Sequence, residues 1–222
     1  MERMGIEDWV KDAGTLVKLQ VGSRLKHPKS YIGHEWGLLP VLSVDGLCEP
    51  GVMGPLNRLI SDWKHDVYAL YGSNGNKGID ELAEEIEEVI EKNHLLKAIG
   101  LGHSMGTIPL VKAMNDGCPI VQIIGIATPY NGSDIARRVP LKGFQQVTPE
   151  STILKEVMER CDKRRIFAIS SELDPLVPDG ILKGARNAVV RGKGHFTPLV
   201  SRETRGIVIR EINRVEKARY EK

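Results

Sequence analysis

The sequence predicts a single α/β domain with about six mostly parallel strands flanked by helices. Strand-like and helix-like segments alternate along the chain. The strand-like segments are rich in Val and Ile with few alternating polar positions, as burial on both faces of a parallel sheet requires. No internal repeat, low-complexity tract or interdomain linker interrupts the 222 residues, which are enough for one sizeable core.

The elements follow in order. Residues 1–39 read as an amino-terminal extension, and 40–222 as the body of the domain. In the extension, "IEDWVKDAGTLV" sets Ile6, Trp9, Val10, Ala13, Leu16 and Val17 on one helical face. That face is expected to dock on the domain and bury Trp9. The charges around it are mixed, Glu7, Asp8 and Asp12 against Lys11 and Lys18, where a membrane-surface helix usually carries a basic excess. "PVLSVDG" (40–46) reads as a strand ending in a glycine turn, "PLNRLISDW" (55–63) as a helix and "DVYALYG" (66–72) as a strand. "IDELAEEIEEVIEKN" (79–93) places Ile79, Leu82, Ile86, Val89 and Ile90 on one helical face, with acids elsewhere. Next come a strand in "LLKAIGLG" (95–102), a helix in "GTIPLVKAMN" (106–115), and strands in "PIVQIIGIATP" (119–129), "RRIFAISSE" (164–172) and "NAVVRG" (187–192). "ETRGIVIREINRVEKA" (203–218) closes the chain as a helix.

Composition removes several classes of function. Apolar residues make up 41% and charged residues 27%, and 31 basic residues stand against 29 acidic ones, a net charge of +2. A dedicated nucleic-acid binder usually shows a strong basic excess. Cys48, Cys118 and Cys161 are too few and too far apart for a disulfide framework or a metal knuckle. The opening residues hold no continuous apolar stretch of the signal-peptide kind, and no run is long enough to span a bilayer, so a cytoplasmic protein is expected. No cofactor and no metal is expected. The histidines at 27, 34, 65, 94 and 103 show no metal-ligand spacing, and the chain has no Gly-Lys-Ser/Thr loop for nucleoside triphosphates. Oligomeric state is not readable from the sequence.

The most informative stretch is "AIGLGHSMGTIPLV" (98–111), an apolar strand running through glycines and a serine into an apolar helix. A dinucleotide loop fits poorly: the third glycine of G-x-G-x-x-G would fall at Met105, and the next strand ends without an acid for a ribose hydroxyl. A plain tight turn is the bland alternative. The strand-to-helix context favours a nucleophile elbow, Gly102-His103-Ser104-Met105-Gly106. There the serine sits on a strained turn at the strand's carboxyl end, and the two glycines remove side chains that would collide with the neighbouring strand and helix. A helix N-terminus behind the hydroxyl favours developing negative charge. Such a serine needs a carboxylate and then a histidine later in the chain. Asp174 follows the strand in "IFAISSELDPLVP", and His195 follows the strand in "VVRGKGHFTPLV". Ser104 is then the nucleophile, His195 the base and Asp174 the acid that orients it; Glu172 and Asp179 are the competing carboxylates. His103, beside the serine, reads as a packing residue and not the base.

With "GHSMG", "SSELDPLVP" and "GKGHFTPLV" in this order, residues 40–215 resemble the α/β-hydrolase superfamily, and within it small lipases and esterases. "GIATPYNGSDIA" (125–136) looks like the Thr-Pro-x-x-Gly-Ser segment of bacterial lipases, and "TPESTILKEV" (148–157) like the segment before their acid strand. The resemblance implies an oxyanion hole made of the Met105 and Leu47 backbone amides. It also implies ester hydrolysis through an acyl-enzyme; the short interval before the acid strand, with the open site it leaves, suits small or medium acyl esters and does not exclude lipids. An acyltransferase or thioesterase would use the same triad, and a non-catalytic binding protein would use the same fold. The interval between "TP" (128–129) and the acid strand leaves room for a short lid or none. One departure stands out: such lipases carry His-Gly where this chain has Asp45-Gly46. Asp45 must turn away into a local hydrogen bond, be protonated, or signal an atypical activity.

Overall fold

A computed structural model describes residues 5–25, 31–32, 37–47, 50–71 and 75–221, with backbone only at 20–25, 31–32 and 220. His27, His34 and Cys48 lie outside the described residues.

In chain order the elements are α1 (Ile6–Leu25), β1 (Tyr31–Ile32), β2 (Val41–Val44), α2 (Gly54–Asp62), β3 (Val67–Leu70), α3 (Ile79–Lys92), β4 (Ala98–His103), α4 (Thr107–Asn115), β5 (Ile120–Ile126), α5 (Lys142–Gln145), α6 (Thr152–Glu159), β6 (Ile166–Leu173), β7 (Arg186–Lys193), α7 (Thr197–Val200) and α8 (Arg202–Tyr220). One sheet holds the strands in the order β1-β3-β2-β4-β5-β6-β7. Strands β2 to β7 run parallel, and β1 pairs antiparallel with β3 at the edge. Strand β1 was not expected, because two residues carry no periodicity to read.

The central strands β2, β4 and β5 are buried on both faces because successive side chains point to opposite sides, whereas β7, at the sheet edge, is largely exposed. In β2, Leu42 joins the core under α3, α4 and α6, while Val41 joins the core under α2 and α8. Ala98 and Ile99 of β4 divide in the same way. Helix α3 buries Ile79, Leu82, Ile86 and Ile90, the stripe its sequence spacing predicts.

Sheet order decides where a ligand can sit. The chain moves outward from β2 to β3, then crosses back to place β4 on the other side of β2. Loops leaving the carboxyl ends of β2 and β4 therefore diverge and open a crevice, the usual ligand site of such sheets. Val44 lies opposite Gly102 in the register, and Gly102 opposite Gly125, so the ends of β2, β4 and β5 are level.

Helix α1 corrects the expectation drawn from its periodicity. Ile6 is 84% exposed, Val10 67%, Val17 57% and Trp9 44%, so of the stripe expected to dock only Leu16 packs against the core and Trp9 is not buried. The helix rests against α2 and α7 through Leu19 and Asp12, which are 6% and 3% exposed. Part of the reason is chemical: the surface under α1 presents the His195 and Phe196 N–H donors beside the apolar core that takes Leu16 and Leu19, and an apolar side chain at position 12 would have left those donors unpaired. Among the described residues no helix is long and apolar enough to cross a membrane.

Candidate active site

Ser104 opens a single turn of 3-10 helix, Ser104–Gly106, between β4 and α4. Its φ is +52°, left-handed backbone for a residue with a Cβ, a conformation that costs roughly 1–2 kcal/mol. The same geometry at Lys64 and His94 merely ends helices α2 and α3. At Ser104 it lifts the side chain off the end of the strand. Both flanking glycines are obligatory. A Cβ on Gly102 would stand 2.5 Å from Thr107 Cα at the start of α4, and one on Gly106 would stand 2.6 Å from the Val44 carbonyl oxygen at the end of β2. Gly125 is required by the same helix start: its Cβ would meet Thr107 Cγ2 at 2.8 Å. Thr128 Oγ1 donates to Thr107 Oγ1 at 2.7 Å and ties the end of β5 to the first turn of α4.

Across the crevice, His195 and Asp174 form a buried pair, with Nδ1 2.7 Å from Oδ2. A carboxylate only accepts, so the proton sits on Nδ1 and Nε2 is the ring's acceptor. The other Asp174 oxygen, Oδ1, accepts from the Leu176 and Val177 amides, both at 2.9 Å. Asp174 is thereby fixed by its own turn. The competing carboxylates serve elsewhere: Glu172 accepts from Gly192 N at 3.0 Å, and Asp179 from Asn131 Nδ2 at 2.8 Å.

The loop carrying His195 is anchored at each successive backbone group. Gly194 N donates to Leu173 O at 2.8 Å, and the Gly194 carbonyl accepts from Ser171 Oγ at 2.9 Å. The His195 carbonyl accepts from His103 Nε2 at 3.2 Å. The amides of His195 and Phe196 donate to Asp12 Oδ2 and Oδ1, at 2.8 and 2.9 Å. The His195 ring stands edge-on to Phe196, 5.2 Å between centroids, and 4.8 Å from the buried His103 ring. His103 is thus a packing and loop-holding residue. Asp12 was missed in the sequence, where it counts only as one charge in a mixed set; no local pattern links it to a loop so far along the chain.

Ser104, Met105, Leu47 and His195 line one cavity of about 160 Å³. The remaining wall is apolar except for Ser133, with Ile135, Phe144, Val147, Leu176 and Val177 among its members. From the β5–α6 connection, which holds one 3-10 turn and the single-turn α5, Pro129, Ser133, Ile135, Ala136, Phe144 and Val147 line the cavity. Asp45 takes the first of its three alternatives. Its carboxylate turns into the loop before α2, accepting from the Gly51 amide and from the Met53 amide at 3.0 Å. Burial, with the Asp45 charge adding to it, pushes the Tyr71 hydroxyl up to about 12. Asp45→Asn is therefore expected to leave the acid limb of the pH–rate profile in place while costing about 1–2 kcal/mol of stability. A downward move of that limb would show that the Asp45 charge acts on His195.

The described cysteines are poor nucleophiles. Burial raises the Cys118 thiol and pushes Cys161 up to about 11, so neither is a thiolate near neutrality. Among the described residues no three His, Cys, Asp or Glu side chains converge as a metal site would need.

No protein-family profile and no curated protein sequence matches the chain. Its fold does match solved structures. The mature lipase BlEst2 of Bacillus licheniformis superposes with a TM-score of 0.65 at 14% identity, covering 80% of this chain and 93% of that one. A structure from a study of carboxylesterases of Nitrososphaera gargenis matches with a TM-score of 0.60 at 14% identity, covering 85% and 95%. A monoacylglycerol lipase of Paleococcus ferrophilus matches with a TM-score of 0.54 at 17% identity, covering 71% and 88%. Sheet order, the strand–turn–helix at Ser104 and these likenesses together show that the chain has the α/β-hydrolase fold.

Proposed function

We propose that the chain is a serine hydrolase that cleaves carboxylic esters of short to medium acyl chains. The observation that carries this reading is the meeting of Ser104 with the buried His195–Asp174 pair at one apolar cavity. Ser104 attacks the ester carbonyl, and His195 Nε2 takes its proton. Asp174 holds the imidazole in the required tautomer and stabilises its cation. The amides of Met105 and Leu47 receive the oxyanion. Collapse expels the alcohol with the proton held on His195, and water activated by the same base releases the acid. An Asp45 carboxylate held by the Gly51 and Met53 amides is compatible with the catalytic reading. Free thiols at Cys118 and Cys161 suit a reducing compartment such as the cytoplasm.

Cavity size argues for the acyl length. A dry cavity of roughly 150 Å³ accepts a molecule the size of benzene. Each methylene buried there contributes about 0.8 kcal/mol, roughly fourfold in kcat/KM. Across p-nitrophenyl esters from acetate to palmitate, kcat/KM is expected to climb over the first few carbons and then fall once the chain outgrows the pocket. No turnover above buffer at any chain length would contradict the reading.

A further inference from the structure

We propose that Asp12, on the amino-terminal helix, is a positioning residue for His195, so that the seating of α1 sets the aim of the catalytic base. The inference rests on the hydrolase reading and adds to it a segment that lies outside the catalytic sheet.

Five polar groups from Gly194 N to Phe196 N have named partners; three are met from β4 and β6, by His103, Ser171 and Leu173. The other two, the amides of His195 and Phe196, are met by the single carboxylate of Asp12 at 2.8 and 2.9 Å. A carboxylate bridging two successive amides fixes both the position of the peptide between them and its tilt. That peptide carries the base on one side and, on the other, the Phe196 ring that walls it.

The chain makes room for this contact. Gly194 has a φ of +124°, and a Cβ there would stand 2.8 Å from Asp12 Cβ. Asp12 therefore lies flush on the backbone and is 3% exposed, while its neighbours Lys11 and Ala13 are exposed. A buried carboxylate is costly unless paired. Here its acceptors are spent on the loop that holds the base. Asp8 Oδ2, one turn earlier on α1, lies 3.6 Å from Lys193 Nζ and ties α1 to the end of β7 from which that loop leaves.

The test compares full-length Asp12→Ala and Asp12→Asn with the unaltered chain. Loss of the bridge lets the base drift, and a misplacement of about 1 Å costs on the order of 10²-fold in rate. The expected result for Asp12→Ala is a fall of that size in kcat with KM held within about twofold. Asp12→Asn, whose amide oxygen still serves one of the two amides, is expected to fall between. A second readout needs no turnover: the low-field imidazole proton of the His195–Asp174 bond, seen by NMR, should shift or broaden in Asp12→Ala. Ile86→Ala, a core truncation under α3 on the opposite face of the sheet, is the comparator: it should lose stability but keep kcat at low temperature. If both Asp12 variants keep the kcat and the proton signal of the unaltered chain, the proposal is overturned. It is equally overturned if activity falls only in step with folded protein. Should Asp12→Ala not fold, Asp12→Asn decides on the same readings. An unaltered chain that turns over no ester and shows no such proton defeats the hydrolase reading, and this proposal with it.

Discussion

Ser104→Ala is expected to lower ester turnover roughly a million-fold, because a nucleophile and its base act as a unit and the remainder is what binding and the oxyanion donors achieve alone. Thermal stability should barely move. Alanine carries the same Cβ into the same left-handed backbone, so the strain at φ +52° is retained. Ser104→Gly separates strain from chemistry: it should be equally inactive yet more stable, by about 1 kcal/mol, since glycine enters that region without penalty. Steady-state kinetics and thermal melts on the two variants check both statements. Turnover in Ser104→Ala within an order of magnitude of the unaltered chain would place the nucleophile elsewhere.

Asp174→Asn should be nearly as damaging, about 10⁴-fold in kcat. The turn amides explain why a change of one atom costs so much. Leu176 N and Val177 N both need an oxygen acceptor, and they hold Oδ1 at 2.9 Å. An asparagine satisfies them with its carbonyl and thereby aims its NH2 at His195 Nδ1. The ring must then accept at Nδ1 and carry its proton on Nε2, where it cannot act as base toward the Ser104 hydroxyl. Fold and melting temperature should stay close to those of the unaltered chain. Glu172→Gln is the matching control, since Glu172 holds the Gly192 amide and not the histidine. An equal loss in Glu172→Gln, with Asp174→Asn mild, would move the acid to Glu172.

Much of this site could be read from the chain because its demands are local. Gly102 and Gly106 must lack side chains where β4 turns into α4, and that requirement is written in five consecutive residues. Asp174 directly follows β6 and His195 lies two residues beyond β7, so their placement follows from recognising those strands. What escaped has a different origin. The direction of the Asp45 carboxylate depends on where the Gly51 and Met53 amides lie, and the residue type alone does not say. Helix α1 shows the limit most clearly. Its apolar spacing pointed Trp9 inward, yet two backbone amides on the His195 loop drew Asp12 inward instead. Hydrophobic periodicity weighs side chains only; it carries no information on unpaired N–H groups contributed from the far end of the sequence. Strand β1 is too short for any pattern to mark it.

Covalent capture tests whether Ser104 is a hydroxyl activated by His195. A fluorophosphonate should add one adduct per chain by intact mass, on the peptide containing Ser104. Labelling should vanish in Ser104→Ala and slow markedly in Asp174→Asn. An adduct on another residue, or a chain that hydrolyses esters yet takes no label at Ser104, would place the nucleophile elsewhere.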